Sequence, residues 1–366
     1  AKGVEDTAMY RATRLLTLNE VGGDLARFGV SVDAFHEANA RAHERWPATM
    51  TTLSTHDTKR SADVRARLAL LSEMPAEWEA ACGRWIEASA RHWPDGDADR
   101  HTQHLLFQTL VGAWPLTAER AAGYLEKATR EAKLRTAGTE PDGAFDAARD
   151  AWVAAVFGDE VLMADVAAVV GGLVEPGRVT ALAQALLQLA APGVPDTYQG
   201  TELWDLSLVD PDNRRPVDFD RRRALLDTVG SLAPADLRTA LADPDDPGAP
   251  KLRVVREALH LRRRLPSVFG PGDGGAYVPV SFAGAAAAHA VGYTRGPAST
   301  PDAPAVAVVV PRLVLGLAAA GGWGDTTVAL PPGRWTDVVT AATWKIPASV
   351  GAGATVPLAD LLAAFP

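Results

Sequence analysis

The 366-residue sequence has almost no cysteine and no excess of positive charge. Its single cysteine, Cys82, excludes a disulfide framework and a cysteine-rich zinc site, and it favours a reducing compartment such as the cytoplasm. Lysine and arginine number 36 against 45 aspartates and glutamates, which gives a formal net charge of −9. A strongly basic nucleic-acid-binding surface is therefore not expected.

Long apolar segments and a leader are also lacking. The longest stretch without Asp, Glu, Lys or Arg, residues 274–294, contains four Gly and a Pro. It predicts turns and short strands, so no membrane-spanning helix is expected. The sequence opens without Met and without an apolar leader, and this abrupt start favours a fragment of a longer protein.

Several motifs of cofactor and nucleophile chemistry do not occur in the sequence. There is no GxxxxGK[ST] loop, no GxGxxG after a strand, no GxSxG elbow and no HExxH pair. We therefore expect neither a metal nor an organic cofactor.

The chain is long enough for more than one domain, and 47% of it is apolar. The patterns predict four segments: 1–74, with a strand over 48–55; 75–178, helical throughout; 179–266, with a strand over 194–200 and two helices; and 267–366, an antiparallel β module. The last segment is predicted from short apolar runs separated by Gly and Pro.

Three helices are predicted in detail. One spans Thr7–Asn19, and a second spans Ser61–Leu71 with Ser61 as its N-cap. The clearest spans Thr117–Ala137, with Thr117 as N-cap and Gly138 as the stop. On that helix the pairs Glu126–Arg130 and Glu131–Arg135 have the favourable i, i+4 order.

Polar residues that could carry chemistry stand between a predicted strand and a predicted helix, at His56-Asp57, with Lys59 and Arg60 directly after them. In a barrel, loops of this kind form the active face. A carboxylate beside an imidazole can there bind sugar hydroxyls and stabilise positive charge at an anomeric carbon. The alternative is a solvated loop of mixed charge.

A second polar segment, Val209–Asp218, contains three Asp, one Asn and two Arg. Such polar density suits recognition of a polyhydroxy ligand. A rigid, ion-paired turn between two prolines is an equally good interpretation, and the residue pattern leaves both open.

A different class of enzyme also uses a His followed by a His-Asp pair. In metal-dependent phosphohydrolases of the HD type, His36 and His56-Asp57 would have metal-binding counterparts. That pair lies on a helix in such enzymes, whereas here it follows extended, Thr-rich sequence. Bound metal would distinguish the two classes.

Four stretches in this order resemble the malto-oligosyltrehalose synthase family of the α-amylase clan, in its C-terminal half: AKGVEDTAMYR, LLTLNEVGGD, STHDTKRSADVRAR and APGVPDTYQGTELWDLSLVDPDNRRPVDF. The resemblance runs from Lys2 to about Phe219 and continues more weakly into the β module. It departs from the family at 136–141, where Ala-Gly stands in place of an expected Trp.

The resemblance implies a mixed α/β fold: the C-terminal part of a (β/α)8 barrel with a helical insertion, followed by a β-sandwich-like module. It also implies an intramolecular transglucosylation that converts the reducing-end α-1,4 link of a maltodextrin to α-1,1. The substrate would be a maltooligosaccharide, and maltooligosyltrehalose trehalohydrolase would be the partner in the pathway. Neither a nucleic-acid nor a membrane partner is expected.

The resemblance further implies roles for single residues. Asp57 matches the aspartate that stabilises the transition state, whereas the nucleophile and the acid/base lie upstream of this chain in the family. We therefore expect the chain alone to be inactive. Contacts with substrate are expected for His56, Lys2, Lys59, Arg60, Tyr198, Asp212 and Arg215. Two alternatives stay open: a maltodextrin hydrolase of the same clan and a non-catalytic glucan-binding fragment.

Overall fold

The computed structural model describes residues 3–94, 96–270, 275–297, 304–347 and 355–366. It is a mixed helix and strand chain. It divides into two compact units that interleave along the sequence. Unit 1 comprises Ala1–Phe28, Ser54–Gly177 and Asp205–Pro216, and unit 2 comprises Gly29–Leu53, Arg178–Trp204 and Val217–Pro366.

The helices, in chain order, are α1 (Val4–Arg11), α2 (Val32–Arg45), α3 (Ala62–Ala69), α4 (Pro75–Ala90), α5 (Arg100–Ala113), α6 (Ala118–Ala132), α7 (Gly143–Gly158), α8 (Glu160–Gly171), α9 (Val174–Ala190), α10 (Phe219–Val229), α11 (Pro234–Ala242), α12 (Ala249–Arg264), α13 (Pro266–Phe269), α14 (Val314–Ala319) and α15 (Leu358–Leu361). The strands are β1 (Met50–Thr52), β2 (Val194–Asp196), β3 (Ala276–Pro279), β4 (Phe282–Ala283), β5 (Ala290–Gly296), β6 (Val306–Pro311), β7 (Thr327–Ala329), β8 (Gly333–Thr336), β9 (Thr343–Ile346) and β10 (Thr355–Pro357).

Unit 1 is organised around α5, whose residues from Thr102 to Ala113 are almost all buried. Helices α3 and α5 approach closely at Gly112. A Cβ there would lie 2.8 Å from Val64 Cγ1 and 2.9 Å from Leu68 Cγ, so only glycine fits. The side chains of Trp85 and Trp152 are fully buried in the same unit.

Short-range capping explains where several of these helices begin. Asp99, Thr117, Asp142 and Asp159 each accept a hydrogen bond from a backbone amide in the first turn of α5, α6, α7 and α8, respectively. Such caps satisfy amides that have no partner within the helix.

The strands found among the described residues all lie in unit 2. Strands β1 and β2 pair in parallel, with Met50 opposite Val194 and Thr52 opposite Asp196. The others pair antiparallel in the orders β3-β5-β6, β10-β7-β4 and β8-β9. Valines of β6 alternate between two apolar clusters: Val306, Val308 and Val310 pack in one, and Val309 packs against the other.

The prediction of a single helix over Thr7–Asn19 was wrong. Helix α1 begins at Val4 and ends at Arg11, and only a short 3-10 turn follows at Leu16–Leu18. The Asn19 amide folds back and donates to the carbonyls of Met9, at 2.6 Å, and Ala12. These contacts occupy carbonyls that a continuing helix would use.

The helix predicted over Thr117–Ala137 is present as α6, but its end differs from the prediction. Thr117 caps α6 as predicted, and Glu126 pairs with Arg130 at 2.5 Å. The helix ends at Ala132, with Lys133 as its C-cap in the left-handed conformation, and so stops before the predicted end at Ala137. Arg135 lies 3.9 Å from Asp99 rather than pairing with Glu131 as predicted.

Two further predictions were right in part. Ser61 stands at the N-cap position of α3, as predicted, but its hydroxyl donates to the Asp205 carbonyl, at 2.5 Å, and makes no capping hydrogen bond to the helix. The strand predicted over 194–200 is formed only at Val194–Asp196. Among residues 75–178 that the structure describes, we find helices and no strand, as predicted.

No single helix of the described residues is both long and apolar enough to cross a membrane. One bent pair of helices, α8 with α9, passes that test by length and composition only.

Candidate active site

The loop Thr55–Arg60 in unit 1 lies between β1 and α3 in the chain, as predicted. It is closed by its own threonines. The Thr58 hydroxyl donates to the Thr55 carbonyl at 2.9 Å, and the Asp57 amide donates to the Thr55 hydroxyl at 3.1 Å. Short side chains that bond to nearby backbone are typical of tight turns.

His56 and Asp57 are exposed at the tip of this loop. Within the described part of the chain, neither the imidazole of His56 nor the carboxylate of Asp57 has a hydrogen bond or an ion pair. Both groups are therefore available to a ligand.

Glu20 lies beneath the second half of the loop and is 8% exposed. Its Oε1 accepts from the Lys59 amide at 2.8 Å, and its Oε2 accepts from the Arg60 amide at 3.2 Å. Arg65 Nε lies 3.6 Å from Oε2. A buried carboxylate is stable in such a place because donors surround it.

Lys59 is buried below the loop, with 3% of its surface exposed. Its Nζ lies 2.5 Å from Asp6 Oδ1 and 5.9 Å from the ring centre of Tyr10. The ammonium group is thus held between an acidic side chain of α1 and an aromatic face.

Arg60 is 1% exposed. Its guanidinium donates to the Tyr124 hydroxyl and lies 5.5 Å from the centre of the same ring. It is therefore directed into unit 1 towards α6, away from solvent.

Asp212, in the second polar segment, is surrounded by donors. Arg120 donates to both carboxylate oxygens at 2.8 Å, and the Leu208 amide donates to Oδ2 at 2.7 Å. Burial alone would raise the pKa of Asp212, but the hydrogen bonds from Arg120 and Leu208 outweigh burial, and the net shift is downward.

The neighbours of Asp212 differ in exposure. The side chain of Arg215 is 51% exposed, and its Nε donates to the Asp212 carbonyl at 2.9 Å. The Asn213 side chain donates to the carbonyls of Thr55, at 3.3 Å, and His56, at 3.1 Å. Asn213 thereby joins the second polar segment to the His56-Asp57 loop.

The other two predicted contact residues are Tyr198 and Lys2. Tyr198 belongs to unit 2, is half-buried, and its carbonyl accepts from the Thr201 amide and hydroxyl. Lys2 lies outside the described residues. The loop and the second polar segment do meet in unit 1, through Asn213.

Glu20, Asp6, Asn213 and Arg120 were not assigned roles from the sequence. Glu20 and Asp6 stand inside the LLTLNEVGGD and AKGVEDT stretches, so a signal was present. What the sequence does not show is that these residues face the loop from 39 and 53 positions away.

Neither a metal group nor a reactive thiol is evident among the described residues. No three His, Cys, Asp or Glu side chains come together to hold an ion. His36 Nδ1 instead shares a hydrogen bond of 2.7 Å with the Tyr277 hydroxyl. Burial raises the pKa of the Cys82 thiol to about 11, so it is protonated at neutral pH.

Known proteins that this chain matches are described as maltooligosyltrehalose synthases. A relative from Mycobacterium tuberculosis (strain ATCC 25618 / H37Rv), described as "Putative maltooligosyl trehalose synthase", is 42% identical over 350 residues, which is 94% of this chain and 41% of the relative. No family model matches the sequence.

Solved structures that this chain matches carry the same description as that relative. The maltooligosyltrehalose synthase from Arthrobacter ramosus is 41% identical, with a TM-score of 0.86 over 100% of this chain and 44% of its own. A "hypothetical maltooligosyl trehalose synthase" from Sulfolobus tokodaii is 28% identical, with a TM-score of 0.74 over 96% of this chain and 43% of its own.

The chain spans less than half the length of the relatives it matches, which is consistent with the C-terminal half that the motifs predict. By sequence and by fold, it resembles the C-terminal half of the maltooligosyltrehalose synthases.

Proposed function

We propose that this chain is the part of a maltooligosyltrehalose synthase that supplies the transition-state-stabilising carboxylate, Asp57. The substrate is a maltooligosaccharide, and the reaction moves its reducing-end glucose from an α-1,4 to an α-1,1 link within one molecule. The carrying observation is that Asp57 is exposed and without a hydrogen bond or ion pair among the described residues, on a loop whose flanks are held by the buried carboxylate of Glu20 and the side-chain amide of Asn213.

The chemistry follows from that placement. When the glycosidic bond breaks, positive charge develops on the sugar ring, and a fixed carboxylate stabilises it. A carboxylate that is already paired with an arginine would have little attraction left for this charge. His56, beside it, carries ring nitrogens that can bind a sugar hydroxyl. No nucleophile or acid/base is assigned to this chain.

The other predicted contact residues fall into two groups in this proposal. Arg215 and Tyr198 retain exposed surface and contact substrate. Lys59, Arg60 and Asp212 are occupied by Asp6, Tyr124 and Arg120, so their role is to support the loop. Lys2, in the family's Lys-Gly-x-Glu-Asp-Thr motif, is proposed to bind the glucose that is released and re-attached.

The finer architecture is part of the same proposal. From the parallel pairing of β1 with β2 we infer that these strands belong to a (β/α)8 barrel, with residues 75–178 as its helical insertion. From the antiparallel pairing of β3 to β10 we infer a β-sandwich-like module over 267–366. We place the protein in the cytoplasm, and maltooligosyltrehalose trehalohydrolase acts on its product.

Product analysis tests the function. The chain is grafted in place of the matching 44% of the Arthrobacter ramosus synthase, and this chimera and the chain alone are incubated with maltopentaose. We expect a non-reducing product from the chimera and no turnover by the chain alone.

Glucose and shorter maltooligosaccharides as the only products of a folded chimera would favour the hydrolase alternative. Binding of maltopentaose without turnover by the chimera would favour a glucan-binding protein. Steady turnover by the chain alone would contradict the supporting role of Asp57, because retaining chemistry needs two further carboxyl functions.

A further inference from the structure

We propose that Glu20 and Asn213 are positioning residues for Asp57. They hold the two flanks of the His56-Asp57 loop from opposite ends, and neither has an assigned role. This inference rests on the proposed function of Asp57, because a positioning residue matters to catalysis only if the group that it positions does.

Glu20 fixes the flank after Asp57. Its Oε1 accepts from the amides of Val21 and Lys59, both at 2.8 Å, and its Oε2 accepts from the Arg60 amide. A carboxylate offers acceptors on both oxygens, whereas the amide of Gln offers one acceptor and one donor. Glu20→Gln therefore places N–H against N–H at one end of the contact, with almost no change in shape.

Asn213 fixes the flank before Asp57. Its Nδ2 donates to the carbonyls of Thr55 and His56. The turn that carries it, Asp212–Arg214, is anchored to α6 because Arg120 binds Asp212 through both oxygens. Asn213→Asp keeps the shape but replaces the donor with an oxygen facing two carbonyl oxygens.

The two contacts together bracket Asp57. The backbone is held at residues 55–56 on one side and 59–60 on the other, while the Asp57 carboxylate has no hydrogen bond or ion pair within the described chain. Preorganised charge stabilises a transition state better than charge that must be oriented during the reaction, and a displacement of about 1 Å can cost roughly 100-fold in rate.

The test uses the chimera defined above. We expect Glu20→Gln and Asn213→Asp each to lower kcat about 10- to 100-fold, with KM changed much less. In the Asp57→Asn background neither change should lower kcat further, because the positioned group is already lost. In the chain itself, hydrogen exchange at the Lys59 and Arg60 amides should accelerate in Glu20→Gln.

Asp159→Asn is the matched control. Asp159 is a similarly buried carboxylate of unit 1, with its side chain 8% exposed against 11% for Glu20. It accepts from the Leu162 amide at the start of α8 and binds Arg91 and His92. We expect Asp159→Asn to lower Tm as Glu20→Gln does but to leave kcat unchanged.

Each outcome separates the two proposals. If Asp57→Asn lowers kcat strongly and Glu20→Gln retains wild-type kcat, the positioning inference is overturned and the function stands. If Asp57→Asn is active, the proposed function fails and the inference fails with it. Should Glu20→Gln not fold, Asn213→Asp decides. Wild-type kcat in Asn213→Asp overturns the inference. A loss of kcat that occurs when Asp57 is present, and not in the Asp57→Asn background, supports it.

Discussion

Two charge-rich regions of unit 1 differ in how completely their charges are satisfied. Between α6 and α7, the Asp146 carboxylate contacts Arg130 at 2.9 Å and Arg149 at 2.7 Å, and Arg149 also donates to the Thr129 hydroxyl at 3.0 Å. At the His56-Asp57 loop, the surrounding acids are engaged in the same way, by Lys59, Arg120 and backbone amides. Asp57 differs, since its carboxylate has no partner among the described residues.

This difference shows that charge density alone does not identify a site. Both regions bring several acidic and basic side chains together in the fold, and one of them is a structural junction between helices. A carboxylate left unsatisfied at the surface, on backbone that is otherwise fixed, is the feature that suggests chemistry.

The largest effect of a substitution is expected at Asp57. In the chimera, Asp57→Asn should lower kcat about 10²- to 10³-fold, or about 3–4 kcal/mol of transition-state stabilisation, because Asn lacks the charge. The Tm should not fall, because no contact is lost. Product formation from maltopentaose and a melting curve measure the two quantities.

Asp146→Asn is the opposite control for this experiment. It should destabilise the protein and leave kcat unchanged. A drop in activity of less than tenfold for Asp57→Asn would remove Asp57 from direct contact with the reacting sugar.

The second-largest effect of a substitution is expected at Asp212. This residue is a predicted substrate contact, but its carboxylate accepts hydrogen bonds from Arg120 and the Leu208 amide. Asp212→Asn should cost about 1.5–3 kcal/mol of stability, because a charged, multiply hydrogen-bonded group is lost while Arg120 remains. Denaturant unfolding at pH 7 measures this free energy. Arg215→Ala, which removes a half-exposed neighbour, should cost less than about 1 kcal/mol.

The opposite result is equally informative. An unchanged free energy of unfolding for Asp212→Asn, with a raised KM in the chimera, would mean that Asp212 binds substrate. A carboxylate with hydrogen-bond partners would then also act in the site, contrary to the difference drawn between Asp57 and its paired neighbours.

Sequence patterns predicted what depends on near neighbours. The cap at Thr117, the Glu126–Arg130 pair and the loop between β1 and α3 all follow from residues within a few positions. The end of α1 did not, because it depends on Asn19 folding back onto Met9 and Ala12. No periodicity records such a contact.

The site shows the same limit. The exposed pair His56-Asp57 could be proposed from its place in the sequence, but the burial of Arg60 could not. An arginine after a strand usually suggests a solvated side chain. Here the partner that buries it, Tyr124, lies 64 positions away on α6.

The third prediction uses pH to separate the regions. Burial would raise the pKa of Asp146, but the hydrogen bond from Arg130 and the charge of Arg149 outweigh it and lower the pKa below its ordinary value of 3.8. Because the folded state binds the proton less tightly, this stabilisation is complete above the ordinary pKa and is lost as pH falls through the folded-state value.

Asp146→Asn should therefore cost about 1–3 kcal/mol at pH 7, and the difference from wild type should shrink as the pH is lowered from 5 towards 2. Unfolding curves of the two proteins at matched pH measure it. A difference that stayed constant with pH would mean that the Asp146 charge does not contribute.

The smallest effect is expected at Glu126, which is as instructive as the largest. Its side chain is 46% exposed and it pairs with Arg130 across one turn of α6. Such pairs contribute about 0.3–0.5 kcal/mol, and salt screens them. Glu126→Gln should therefore shift the free energy of unfolding by no more than this at low salt and by less at 1 M NaCl. Activity of the chimera should not change.

Glu126 and Asp57 both expose their carboxylates to solvent, but the Glu126 carboxylate is already paired with Arg130. A large loss of activity in Glu126→Gln would show that exposure, rather than the absence of a partner, explains the importance of Asp57.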